Sequence, residues 1–80
     1  MLGTEVFHRI YGYGVVIAKL ETRRKNWLWL VQYDIANEDL HDGNGYCKGA
    51  PNRCWYYYER EILRMTCNRN SIAYYLRRKQ

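Results

Sequence analysis

The amino-acid sequence predicts a mostly β protein: a small barrel of four to five short strands with a short C-terminal helix. The chain has 80 residues, which is enough for one domain with one small core. Short runs rich in β-branched and aromatic residues recur along it, and turn-forming residues separate these runs. A single domain over residues 1–80 is therefore expected.

The first half of the chain carries the clearest strand signals. An extended run begins near Val6, and a turn follows at Gly12 because glycine readily adopts positive φ. Residues 15–20 predict a second strand, and residues 21–26 a polar, basic hairpin loop. Residues 27–33 carry apolar side chains at both odd and even positions, so they predict a strand that is central or covered on both faces.

The second half has weaker periodicity. Residues 34–53 predict a long irregular loop, and a loop of that length in a small domain is usually functional or held by its own contacts. Residues 54–58 predict a further strand, and residues 62–65 a short closing strand or turn. A short helix is expected at about residues 70–79.

The charge is +5 at neutral pH and unevenly distributed, which favours an anionic partner or an acidic protein patch. An acidic stretch without lysine or arginine contains Asp34, Glu38, Asp39 and Asp42. There are also two basic clusters. The first contains Arg23, Arg24 and Lys25, and the second contains Arg64, Arg69, Arg77, Arg78 and Lys79. Such runs form either a solvated face or a binding face, and the sequence leaves both interpretations open.

The chain has three cysteines, which we expect to be mostly reduced. It has no secretory signal and no apolar run long enough to span a membrane, so a cytoplasmic location is expected. A loop-closing disulfide is the alternative in an oxidising environment. His41, Cys47 and Cys54 are a weak zinc candidate, but no two ligands lie two to four residues apart, so no metal is predicted.

The remaining polar residues predict no catalysis and no cofactor. No nucleophile–base motif, phosphate loop or dinucleotide fingerprint is present, so the protein is expected to be non-enzymatic. The run from Asp42 to Gly45 lacks the spaced carboxylates of a calcium loop. We expect His41 and Asp42 to hold the loop backbone by hydrogen bonds.

The run GTEVFHRIYGYGVVI at residues 3–17, with VQYD at residues 31–34, resembles the opening of Tudor or SH3-like modules. Bacterial repair helicases and CarD-type transcription factors carry such modules. The resemblance covers about the first 34 residues. It implies an SH3-like barrel that serves as a protein-binding platform, often for RNA polymerase, without catalysis.

The run LHDGNGYC at residues 40–47, with CWY at residues 54–56, is similar to a motif of small phage and prophage proteins of Gram-positive bacteria. The insertion at residues 49–52 departs from that pattern. Some phage proteins of this size act against host defence systems, including CRISPR nucleases. The resemblance implies a phage origin rather than one target.

Three functions follow as hypotheses. The first is a phage-type binding protein that inhibits or redirects a host protein or ribonucleoprotein complex, for example an anti-CRISPR inhibitor, with its acidic stretch imitating phosphate. Its predicted contact residues are Trp27, Trp29, Trp55, Tyr56 and Tyr57, with the acidic residues 34, 38, 39 and 42 at the rim.

The second hypothesis is direct binding of DNA or RNA. The two basic clusters would contact phosphates, and exposed tyrosine or tryptophan rings would stack on bases. The third is a minor structural phage protein built on an oligomerising barrel. The sequence leaves the oligomeric state open, and nothing in it indicates a membrane partner.

Overall fold

The structure is a computed structural model that describes residues 1–47 and 51–67. Within these residues the strands are β1 (Glu5–His8), β2 (Gly12–Glu21), β3 (Trp27–Tyr33) and β4 (Cys54–Tyr57), and the α-helix is α1 (Glu59–Met65). A short turn in which all three residues have positive φ spans Gly43–Gly45. The strands form one antiparallel sheet in the order β1-β2-β3-β4. No helix within residues 1–47 and 51–67 is long and apolar enough to cross a membrane.

The mostly β fold is confirmed, but the sheet is open in the part of the chain that the structure describes. After α1 the chain returns to the outer edge of β1. There Thr66 forms a bridge with Val6, and the Cys67 amide donates to the Glu5 carbonyl at 3.1 Å. This return covers part of an edge that would otherwise expose unpaired backbone groups.

The prediction of a closing strand or turn at residues 62–65 is wrong, because these residues belong to α1. The Glu61 carboxylate accepts a hydrogen bond from the Tyr58 amide at 2.9 Å, which satisfies a backbone donor at the start of the helix. Ile62 is fully buried and Met65 packs on the same cluster, a spacing of three that suits a helix face. The helix expected at residues 70–79 lies outside the described residues.

Strand β3 is central and covered on both faces, as its sequence predicts. On the first face, α1 packs against β1 and β3 over the main core, which contains Val6, Val16, Trp29, Val31, Tyr33, Leu40, Tyr57 and Ile62. On the second face, Leu30 packs with Ala18 and Cys54. A small sheet buried on both sides in this way removes more apolar surface from water than a sheet with one open face.

A β-bulge at Ile17 changes which face of the sheet the side chains of β2 occupy. Val16 pairs with Val31 and Ala18 pairs with Leu30, so one extra residue stands between two consecutive pairs. Beyond the bulge, Lys19 pairs with Trp29 and therefore lies on the first face. An unbroken strand would place Lys19 on the second face, because side chains alternate with a period of two.

The loop before β4 is held by its own side chains, as expected. His41 Nδ1 accepts from the Gly43 amide at 2.9 Å, and Asp42 Oδ1 accepts from the Asn44 amide at 3.0 Å. His41 also forms a bridge with Cys54. These contacts bring Gly43 against the Leu30 side chain, where no other residue type would fit easily.

Cys47 and Cys54 are joined by a disulfide, with their Cα atoms 6.2 Å apart. The expectation of reduced thiols is therefore wrong for these two residues, and the alternative of a loop-closing bridge is the one observed. The cysteines are seven residues apart. A loop of that size gives about 2–3 kcal/mol of stabilisation in the chain-entropy description.

We expect Gly43→Ala to lower the free energy of unfolding by about 2–4 kcal/mol. Gly43 has φ +64°, and a Cβ there would lie 2.7 Å from a Leu30 methyl carbon, so strain and overpacking add. Gly45→Ala is the matched control, because φ is +87° but nothing lies within 4 Å. It should cost about 1 kcal/mol. Urea unfolding measures both, and equal losses would contradict the packing of the loop on Leu30.

Candidate functional site

A groove of about 570 Å³ lies at the end of the first face that α1 leaves uncovered. It is lined by Lys19, Asn26, Trp27, Trp29, Tyr58, Glu59 and Arg60. The β2–β3 hairpin supplies one wall, and the start of α1 supplies the other. Its volume falls within the range of about 300–1,000 Å³ that is usual for ligand clefts.

Three aromatic rings line the groove. Trp29 is almost completely buried and belongs to the core, whereas Trp27 is 46% exposed and Tyr58 is 41% exposed. Trp27 lies on the same face as Trp29 because both occupy odd positions of β3. The groove therefore presents two accessible rings beside a third that the core holds in place.

Each accessible ring has a cation next to it. The Lys19 ammonium lies 4.1 Å from the centre of the Trp27 ring and 5.1 Å from that of Trp29. The Arg60 guanidinium lies 5.0 Å from the centre of the Tyr58 ring. Such cation–π contacts hold the charges at the groove surface, which reduces the conformational entropy that a bound anion would have to remove.

The tip of the β2–β3 hairpin leads directly into this groove and contains Arg23, Arg24 and Lys25, all exposed. The Lys25 amide donates to the Thr22 carbonyl at 3.0 Å, which closes a tight turn. Lys25 has φ +62°, a left-handed conformation that glycine or asparagine adopts more easily. A lysine at this position strains the backbone and adds a third positive charge to the tip.

The basic cluster at residues 23–25 and the acidic stretch lie at opposite ends of the sheet, and Arg9 and Arg53 also lie at the acidic end. Among the described residues, the groove and the hairpin tip together carry five cations, which are Lys19, Arg23, Arg24, Lys25 and Arg60. Two carboxylates, those of Glu21 and Glu59, lie nearby. The acidic residues 34, 38, 39 and 42 follow the other end of β3 and are exposed. The basic end therefore attracts anions, and the acidic end does not oppose it at close range.

The five predicted aromatic contact residues do not form one surface. Trp27 and Trp29 line the groove, whereas the rings of Trp55 and Tyr56 lie 5.2 Å and 5.0 Å from the His41 ring. Tyr57 is a core residue whose hydroxyl is hydrogen-bonded to that of Tyr33. Burial raises the pKa of both phenols above the ordinary tyrosine value.

The basic residues predicted to contact phosphate are also divided. The first cluster, residues 23–25, borders the groove, whereas Arg64 lies in the last turn of α1. Arg69, Arg77, Arg78 and Lys79 lie outside the described residues. The sequence patterns did not identify three further groove residues, which are Lys19, Tyr58 and Arg60. Their placement in the groove depends on the bulge in β2 and on the start of α1, which periodicity does not reveal.

The weak zinc candidate is not assembled. The sulfurs of Cys47 and Cys54 are bonded to each other, and His41 Nδ1 accepts a backbone hydrogen bond. Thiolates, not disulfide sulfurs, are the zinc ligands. Over residues 1–47 and 51–67, no three histidine, cysteine or acidic side chains are placed to hold a metal ion.

Comparisons of the chain with protein-family models, with curated proteins and with solved structures find no match. The candidate site is therefore defined by its own geometry.

We expect Lys25→Gly to raise the free energy of unfolding by about 1 kcal/mol, because glycine removes the cost of positive φ. The same change should weaken binding of a polyanion, because it removes one cation from the tip. Lys25→Gln is the matched control: it removes the charge but keeps the strained backbone. Urea unfolding measures the change in stability, and anion titration measures the change in binding. An unchanged free energy of unfolding for Lys25→Gly would contradict the backbone strain inferred at this position.

Proposed function

We propose that the protein is a non-enzymatic binding module that holds nucleic acid in the basic, aromatic groove at the β2–β3 end of the sheet. The single observation that carries the proposal is the placement of Lys19, Trp27, Tyr58 and Arg60 in one groove beside a tip of three basic residues. Phosphates require cations, and bases require flat apolar surfaces. This groove supplies both.

The strained lysine supports a binding role for the tip. If the three cations only kept the surface solvated, glycine or asparagine at position 25 would serve the turn better. Strain at a single residue commonly coincides with function. The exposed ring of Trp27 supports the same conclusion, because large aromatic side chains at the surface are typical of recognition sites.

We propose further that the fold is an open relative of an SH3-like barrel. Two features support this: the sheet order β1-β2-β3-β4, and the return of the chain after α1 to bridge β1 at Thr66. In a barrel, a further strand would pair with β1 at the position where Thr66 forms its bridge. The phage origin and the minor structural role stay predictions from the resemblance.

The test is the salt dependence of binding to a labelled oligonucleotide, measured by fluorescence anisotropy. The logarithm of the association constant should fall linearly with the logarithm of salt concentration. Replacing Arg23 and Arg24 together by glutamine should weaken binding and reduce the slope by about 0.7 for each phosphate that is no longer neutralised.

Arg9→Gln is the matched control for this test. Arg9 is also exposed, but it lies in the β1–β2 turn at the opposite end of the sheet. The Arg9→Gln change should leave the slope of the salt dependence unchanged. Binding that does not vary with salt, or an equal effect of Arg9→Gln, would contradict the proposal.

A second candidate function is binding of a basic protein surface at the acidic end of the sheet. Trp55 is 42% exposed there, and the Ile35 side chain is also exposed. The exposed carboxylates of residues 34, 38, 39 and 42 would surround them as a rim. An exposed tryptophan with charged neighbours is typical of a protein-binding hot spot. A host complex as target would agree with the resemblance to phage inhibitors.

A pull-down from nuclease-treated bacterial lysate separates the two functions, read by mass spectrometry. If the function is protein binding, one protein complex should still be recovered after nuclease treatment. The Trp27→Ala variant should still recover that complex, and the Trp55→Ala variant should not. If the recovered material disappears with the nucleic acid, or if Trp27→Ala removes it and Trp55→Ala does not, the groove carries the function.

A further inference from the structure

We infer that the groove selects unpaired nucleotides over duplex nucleic acid, with one base stacked on Trp27 and its phosphate held by Lys19. This inference deepens the proposed function and rests on it. A basic surface alone binds any nucleic acid through its phosphates, in proportion to the charges neutralised. The selectivity must therefore come from the rings.

The accessible rings lie inside the basic groove rather than apart from it. Trp27 and Tyr58 are its two half-exposed aromatic residues, and both line it. A base can stack on a side chain only when at least one of its own faces is released from its neighbours. In a duplex those faces are used by adjacent base pairs, so the rings would contribute little.

The position of Lys19 links stacking to charge. Its ammonium lies within 4.1 Å of the centre of the Trp27 ring and also near Trp29. Because the ammonium covers one face of the Trp27 ring, a base stacks on that face by displacing it. The displaced ammonium, on its flexible side chain, can then contact the phosphate of the same nucleotide. Arg60 repeats this arrangement beside Tyr58 on the other wall. The pairing suits a strand whose bases and phosphates alternate along the groove.

Glu59 is the acidic residue that lines the groove. Its carboxylate lies at the wall formed by the start of α1, and the hairpin tip on the other wall carries no acid among residues 23–25. Phosphates are repelled by Glu59 and attracted by the tip. Phosphates should therefore be held by Lys19, Arg60 and the hairpin tip rather than beside Glu59, with the bases turned toward Trp27 and Tyr58.

The experiment compares three ligands of equal length, about 12 nucleotides, within the site sizes of small single-strand-binding folds. They are a single strand, the same strand paired with its complement, and a strand with abasic sugars in place of its nucleosides. The single strand should bind at least about tenfold more tightly than the other two, and it should quench tryptophan fluorescence where the abasic strand does not.

Trp27→Leu should weaken single-strand binding about 5- to 150-fold, the range expected for the loss of one stacked base. It should leave duplex and abasic binding unchanged, and Trp27→Phe should retain most of the affinity. Trp55→Leu is the matched control, since Trp55 is similarly exposed but lies outside the groove. Because the Trp27 side chain is half-exposed, its replacement should leave the fold intact, and urea unfolding checks this.

Glu59→Gln provides a second variant that does not touch the core. It should raise single-strand affinity severalfold by removing the repulsion. Equal affinity for single strand and duplex, together with no effect of Trp27→Leu, would overturn the inference while leaving the proposed function in place. The absence of salt-dependent binding to any of the three ligands would overturn both.

Discussion

The placement of Lys19 on the same face as Trp29 is the feature on which the groove depends, and one extra residue in β2 produces it. Because of the bulge at Ile17, Val16 points into the main core while Ala18 points to the other side. Every residue beyond the bulge then occupies the face opposite to the one that simple alternation would give it. A cation is thereby placed over the two tryptophan rings instead of among the apolar residues of the second face.

The two covers of the sheet define the rest of the architecture. On the first face, α1 is short and buries Ile62, so it covers the middle of the sheet and leaves the hairpin end exposed. On the second face, the loop before β4 packs through Gly43 and is tied by the disulfide between Cys47 and Cys54. A chain of 80 residues has a thin stability margin, and a covalent loop closure adds to it without a larger core.

The core contains a buried hydrogen bond between two strands, and the hairpin tip contains a strained turn. The hydrogen bond between the hydroxyls of Tyr33 and Tyr57 crosses from β3 to β4 inside the core, and burial raises the pKa of both phenols. At the hairpin tip, Lys25 keeps a left-handed backbone conformation. The packing of Trp29 in the core holds one groove ring in place before binding, which is what the proposed site would require, since little order is then lost on binding.

The sequence by itself determined the strands, because side-chain alternation and turn residues are local signals. It located Trp27–Tyr33 with its observed bounds, placed a covered strand there, and indicated that His41 and Asp42 hold the loop. It did not reveal α1, whose short apolar pattern at residues 62–65 also fits a strand, and it left open whether Cys47 and Cys54 pair. Only the tertiary structure decided which aromatic residues share a surface. The one-residue bulge in β2 and the short helix α1 determine which side chains line the groove. As a result Trp27 lies in the groove with Tyr58, whereas Trp55 lies next to His41. Such juxtapositions depend on strand pairing between distant residues, which no local pattern encodes.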